Sequence, residues 1–235
     1  ASGACTCRTL GGISARSEGL APLYRASVRT GSVSAPGTRR ATARAAASRA
    51  AAPSIDLLGP DIYFQNFAEW ARRYKRSGNP LFVPEAMRSP EASVNALYAF
   101  GAHDAIGFSP FGIESIGEPA AKHLAASYDL VEQLEPLLVE LQGKGRSAGL
   151  LSEGPEQRQP QQVRLNGYVL AASFERGTPP SLADGVPVPA GAAAGPPPPS
   201  GGLVLAPAPD EFVVAGTAVT ITFAASVRGQ RVGIL

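Results

Sequence analysis

Apolar positions along residues 54–145 follow two rhythms: short unbroken runs, and longer stretches in which they recur every three to four residues. The first rhythm belongs to buried strands and the second to amphipathic helices. Residues 55–58 and 61–64 read as a short apolar stretch that ends in a strand. Asn66, three residues before Glu69, is an N-cap and capping-box signal, so a helix is expected from Phe67 to about Arg76, stopping at Gly78. Leu81-Phe82-Val83 reads as a second strand, followed by Pro84-Glu85-Ala86. Ser89-Pro90-Glu91 opens a second helix with proline at its first position, and Val94, Leu97, Tyr98 and Phe100 give it an apolar face. Residues 105–108 form a third short run before Ser109-Pro110-Phe111-Gly112. A long helical pattern starts at Ala120, with Leu124, Tyr128, Val131 and Leu134 on one stripe. Pro136 either kinks it or opens another helix that ends by Gly143.

Strand and helix in alternation at this spacing predict β/α units around a parallel sheet. Three units do not close a barrel of eight, so the sheet is either open or the tail of a barrel whose front is missing. After Gly145 the period changes to two. Residues 163–165, Asn166-Gly167 and residues 168–174 form a hairpin pattern, because Asn-Gly suits a type I′ turn. Residues 211–215 and 218–224, joined by Gly216-Thr217, read as a second hairpin. Between them, residues 178–209 hold ten prolines and read as a loop in polyproline conformation. The expected class is therefore α/β plus β: a disordered tract over 1–52, the last three units of a partial (β/α) barrel over 53–145, and a small antiparallel β domain over 146–235. The final strand pattern is still running at Leu235, so the β domain is expected to be truncated.

Composition narrows the function classes. Cys5 and Cys7, with His103 and His123 elsewhere, make neither a disulfide scaffold nor a zinc site, and no metal or other cofactor is expected. No apolar run reaches the roughly 20 residues a membrane helix needs. The net charge of +2 conceals an asymmetry: residues 1–50 hold eight arginines, no lysine and one acid, Glu18, whereas the rest of the chain is net −5. Three readings fit that tract. It is a transit peptide, a basic arm for nucleic acid, or non-native sequence such as an out-of-frame reading upstream of a real domain. Tyr24 is its only aromatic, which weighs against nucleic-acid stacking, and the abrupt change of texture near Pro53 favours the third reading. Compartment and oligomeric state stay open.

Active sites of β/α barrels lie at the C-terminal ends of the strands. The three visible ends carry Asp61 and Tyr63, then Glu85, then Ser109, Phe111 and Glu114. A carboxylate at a strand mouth beside a tyrosine hydroxyl suits a nucleophile held by a hydrogen bond. Plainer roles compete with this one: Glu85 as a loop acid, Asp61 as a helix cap, Tyr63 and Phe111 as core aromatics. His103-Asp104 reads as a structural turn, and Trp70 as a helix residue packed on the sheet.

Three segments within residues 52–145 carry a resemblance: Pro-Ser-Ile-Asp-Leu-Leu-Gly-Pro-Asp-Ile-Tyr-Phe, Gly-Asn-Pro-Leu-Phe-Val-Pro-Glu-Ala, and Tyr-Ala-Phe-Gly-Ala-His-Asp-Ala-Ile-Gly-Phe-Ser-Pro-Phe-Gly-Ile-Glu-Ser. They resemble the last part of a family 35-like β-galactosidase, from the clan of retaining glycoside hydrolases built on β/α barrels. Some bacterial members continue into a β-rich domain of unknown function, and residues 146–235 look like its beginning. The resemblance implies double displacement with two carboxyl groups about 5–5.5 Å apart. It places the nucleophile at Glu85, whereas no position here matches the acid/base, which in this clan usually follows an Asn. Tyr63 would hold Glu85 or line the pocket, Asp61 would bond a sugar hydroxyl, Phe111 would offer a stacking face, and Glu114 a peripheral polar contact. The implied partner is a galactoside oligosaccharide or polysaccharide, and the chain alone is expected to be close to inactive. A second reading makes it a carbohydrate-binding or structural β module without catalysis, with Tyr168, Phe174 and Phe223 as available aromatics.

Overall fold

The computed structural model describes residues 3–7, 54–152, 154, 157, 159–175 and 198–225. The basic tract lies outside the described residues except for its first strand. Chain order gives strands β1 (Gly3–Cys7), β2 (Asp61–Ile62), β3 (Phe82–Ala86), β4 (Gly107–Pro110), β5 (Ser147–Leu151), β6 (Gln161–Leu165), β7 (Tyr168–Phe174), β8 (Gly201–Ala208), β9 (Glu211–Thr217) and β10 (Val219–Ala225). Among the described residues three α-helices accompany them: α1 (Phe67–Tyr74), α2 (Ala92–His103) and α3 (Ala120–Leu141).

Strands β2, β3 and β4 pair in parallel in that order, with α1 and α2 as the crossovers. Among the described residues, helices cover one face. Ile62, Val83, Ala86 and Phe108 are buried in a cluster with Phe67 and Ala71 of α1 and with Val94, Ala96 and Ala99 of α2. Phe67 meets Phe108 edge-on at 5.7 Å. Asp61, Phe82, Glu85 and Gly107 stay partly exposed. No closed barrel exists among the described residues; the protein is a mixture of helices with small sheets, parallel and antiparallel.

The β region is a pair of antiparallel sheets, ordered β1-β10-β7-β6 and β5-β8-β9. Their facing side chains form one core, with Leu150, Leu170, Val204, Ile221 and Phe223 among its members. The other face of β5-β8-β9 packs through Leu203 and Leu205 on Leu97 of α2 and on the Leu130, Leu134, Leu137 and Leu138 stripe of α3. Helix α2 is therefore sandwiched between a parallel and an antiparallel sheet, which explains why it is apolar nearly all round. The fit is close. A Cβ on Gly149 of β5 would lie 2.6 Å from Ala102 Cβ, and one on Gly101 of α2 would lie 2.5 Å from the Ala148 carbonyl oxygen.

Several expectations are corrected. Residues 201–208, expected as proline-rich loop, form β8, whose first six residues are all buried. The run Gly-Gly-Leu-Val-Leu-Ala is continuous because the strand is covered on both faces. The expected second hairpin does not form: β9 pairs with β8, whereas β10 pairs with β7 and β1, and Ala218 (φ 50°) turns the chain from one sheet to the other. Residues 3–7, expected as disordered, make an edge strand on β10. Pro136 sits inside one continuous helix. The Asn166-Gly167 hairpin does form, with φ of 48° and 78° at its turn.

Candidate functional site

Glu85 owes its direction to a defect in β3. Val83 pairs with Phe108 and Ala86 with Pro110, so three steps on β3 match two on β4. Strand side chains alternate, and without this irregularity Glu85 would share the buried side of Val83. The extra residue returns Ala86 to the helix side and turns Glu85 to the open face. There it is in register with Asp61 of β2, while Ile62 and Ala86 face the helices together.

Tyr63 follows β2 directly and donates its hydroxyl hydrogen to Glu85 Oε2 at 2.8 Å. Glu85 Oε1 makes no hydrogen bond among the described residues. Loss of solvent pushes the Tyr63 phenol up to about 12, with the Glu85 hydrogen bond and the Glu85 and Asp61 charges adding to it and Arg88 opposing. Tyr63 therefore remains a donor across all ordinary pH. Partial burial raises the Asp61 carboxyl above the usual range, and the neighbouring Glu85 raises it further.

The rim is aromatic and apolar. Phe111 is 54% exposed, Phe64 46% and Tyr63 40%, with Met87 and Ile113 nearby in sequence and also exposed. The Phe111 N–H donates to the Ala86 carbonyl at 3.0 Å, which ties this rim to the end of β3. Glu114 lies on a short 3-10 turn, Ile113–Ser115, and makes no hydrogen bond or ion pair among the described residues. The structure thus brings Asp61, Tyr63 and Glu85 together and ties Phe111 to the end of β3. Arg88 and Phe64 were not singled out by the sequence; the signal for Arg88 was its place three residues after Glu85, in the loop leaving β3.

Asn66 precedes α1 as expected, but its side chain makes no capping bond. Its Nδ2 donates to Glu69 Oε2 at 2.6 Å and its Oδ1 accepts from Trp70 Nε1 at 3.1 Å. His103 ends α2 and Asp104 follows in the left-handed conformation (φ 48°), its carboxylate accepting from Ser147 Oγ at 3.3 Å. Burial holds His103 down to about 4, helped by Lys75 and Arg72 and opposed by Asp104. A cavity of about 470 Å³ lies between the end of α2, α3 and β5, lined by Phe100, Tyr128, Val131 and Leu138 among others. Neither Glu85 nor Tyr63 lines it. Tyr168 and Phe223 are buried and pack with Phe212, so these two aromatics belong to the sandwich core. Among the described residues no group of His, Cys, Asp and Glu could hold a metal, and no helix is long and apolar enough to cross a membrane.

This architecture is a one-sided parallel β/α layer, with carboxylates at its strand ends, joined to a β sandwich. Residues 124–235 match a family described as a domain of unknown function (DUF5597). The match begins inside α3, the helix whose leucines pack on Leu203 and Leu205 of β8 and on Val213 of β9. The same helix also touches the parallel sheet, since Tyr128 donates to the Phe108 carbonyl at 2.9 Å. No curated protein matches the chain.

Proposed function

We propose that Glu85 is the nucleophile of a retaining, β-galactosidase-like glycoside hydrolase site, and that this chain carries that half of the site without the acid/base. The observation that supports it is the Tyr63–Glu85 hydrogen bond, on the open face and at the C-terminal ends of parallel strands. Tyr63 occupies Oε2 and fixes the carboxylate, which leaves Oε1 for attack on an anomeric carbon. Attack forms the Glu85 ester as the glycosidic C–O bond breaks; water later cleaves that ester. Asp61 is placed to accept a hydrogen bond from a sugar hydroxyl, and Phe111 to cover an apolar sugar face. No position in this sequence matches the family's Asn-Glu pair, so the departing oxygen leaves without a proton donor. That omission costs about 10²–10⁴ in rate on unactivated substrates.

Aryl β-galactosides of graded leaving-group acidity test the reading. Cleavage should be measurable only for the most acidic phenols, rise steeply with leaving-group acidity, and vanish in Glu85→Gln. Cleavage unchanged in Glu85→Gln overturns it.

A further inference from the structure

The cavity of about 470 Å³ sits where the β/α layer meets the sandwich, since α2, α3, β5 and β8 all contribute to its lining. Ala105, Leu141 and Leu205 line it and are buried, and Phe100 and Leu138 extend the apolar wall. Polar groups beside the end of α2 are already joined to one another. Ser147 Oγ donates to the Asp104 carboxylate at 3.3 Å, Gln142 Nε2 donates to the Asp104 carbonyl at 3.1 Å, and Lys75 Nζ lies 3.9 Å from the second carboxylate oxygen of Asp104. That side of the cavity is set before any ligand arrives. The side towards solvent is unfinished. Ile106 and Val139 also line the cavity, yet they are 38% and 67% exposed. Glu132 and Glu135 of α3 line it too, and among the described residues neither makes a hydrogen bond or an ion pair. Three residues apart on a helix, these two like charges are neighbours and repel. The sequence holds no Lys or Arg between Lys122 and Lys144, so the helix supplies no counter-charge. Pro136 has no N–H, which leaves the Glu132 carbonyl without its helical donor as well.

We propose that this cavity binds a small organic cation with an apolar body, an alkyl- or arylalkylammonium. Its hydrocarbon part lies against Phe100, Val131, Leu138 and Leu205, and its ammonium group meets Glu132 and Glu135. The proposal is independent of the galactoside reading of Glu85. Charge decides the sign of the ligand: Asp104, Glu132 and Glu135 line the cavity, and no Lys, Arg or His does among the described residues. An anion would be repelled, and a neutral molecule would leave the two free carboxylates uncompensated. The apolar wall decides the rest. A bare cation would leave exposed Ile106 and Val139 in water, whereas a hydrocarbon body removes apolar area from it. The volume lies within the range of small-ligand sites, about 300–1,000 Å³, and such sites recur at junctions between structural units. An ammonium brings three N–H donors to a stretch of helix that has acceptors without donors.

Calorimetric titration of the full 235-residue chain with 4-phenylbutylammonium and with 4-phenylbutanol, which share one body, tests this. The ammonium should bind about three- to tenfold more tightly, the range that two partly exposed ion pairs give. Glu132→Gln combined with Glu135→Gln should bring the ratio close to one and leave the affinity for the alcohol unchanged, which also shows that the variant is folded. Methylammonium, a charge without a body, should not displace the ammonium probe at equal concentration. Methyl resonances of Ile106 and Val139 should shift in carbon-13 NMR spectra as either probe is added. Equal affinity for ammonium and alcohol overturns the proposal, as does a ratio that survives the double substitution. Displacement by methylammonium, or binding that leaves the Ile106 and Val139 methyls unmoved, overturns it too, and so does failure of the ammonium to bind.

Discussion

Tyr63 and Glu85, 22 residues apart in the chain, meet across 2.8 Å because β2 and β3 lie in register and both strands end at the same edge. Removing the phenol hydroxyl with Tyr63→Phe takes away the only hydrogen bond to the carboxylate among the described residues. A bond to a charged acceptor is worth about 1.5–3 kcal/mol, so cleavage of an activated aryl galactoside should fall about 10- to 100-fold. Steady-state rates with a dinitrophenyl galactoside check this, and an unchanged rate means that Tyr63 does not position Glu85.

The same pair makes a prediction about alkaline pH. The phenol titrates near 12 in the folded chain against 10 when unconstrained, so the folded state holds the proton more tightly. The stabilisation is then fully present below pH 10 and is lost as pH rises from 10 towards 12. NMR of ring-labelled tyrosine should show Tyr63 among the late-titrating resonances. In Glu85→Gln its titration should move down, because the hydrogen bond to a charged acceptor and one repelling charge are gone.

His103 works in the opposite direction. Its imidazole titrates near 4 when folded and near 6.5 when free, so folding favours the neutral ring. Stability is full above pH 6.5 and declines as pH falls from 6.5 towards 4. Urea midpoints measured across that window should drop more steeply for the natural chain than for His103→Gln. Parallel curves would show that His103 is not the group responsible.

Where α2 crosses β5, Gly149 and Gly101 leave no room for side chains. Gly149→Ala places a methyl 2.6 Å from Ala102 Cβ and 2.7 Å from the Tyr98 carbonyl, so helix and strand must separate. Overpacking of this kind costs about 1–3 kcal/mol, and the thermal midpoint should fall by several degrees. Gly117→Ala is the control, since nothing lies within 4 Å of a Cβ there.

The sequence showed the three strand–helix alternations because each carries its own period. It also showed the Asn166-Gly167 turn, whose positive φ angles require those residues. It did not show β8: prolines flank a run of Gly-Gly-Leu-Val-Leu-Ala, and composition outweighed the continuous burial that only a strand between two layers experiences. The false second hairpin has a related cause. Residues 211–225 have a hairpin's pattern, but pairing partners are set by the layers on either side, which local sequence does not encode. The candidate site was legible as Asp61, Tyr63 and Glu85 from motif resemblance and strand ends. The irregularity between Val83 and Ala86 that turns Glu85 outward was not, because strict alternation from Val83 places that carboxylate among apolar side chains. The stacking of Phe64 on Trp70 was equally hidden, since Phe64 was not singled out and Trp70 read as a helix residue packed on the sheet.

The most direct test of the central claim is mass spectrometry of the chain after incubation with 2,4-dinitrophenyl 2-deoxy-2-fluoro-β-galactoside. Its leaving group departs without a proton donor, and its fluorine slows hydrolysis of the ester. A single fluorogalactosyl adduct on the peptide containing Glu85, absent in Glu85→Gln, is the predicted result. An unlabelled chain, or an adduct on any other carboxylate, contradicts the account.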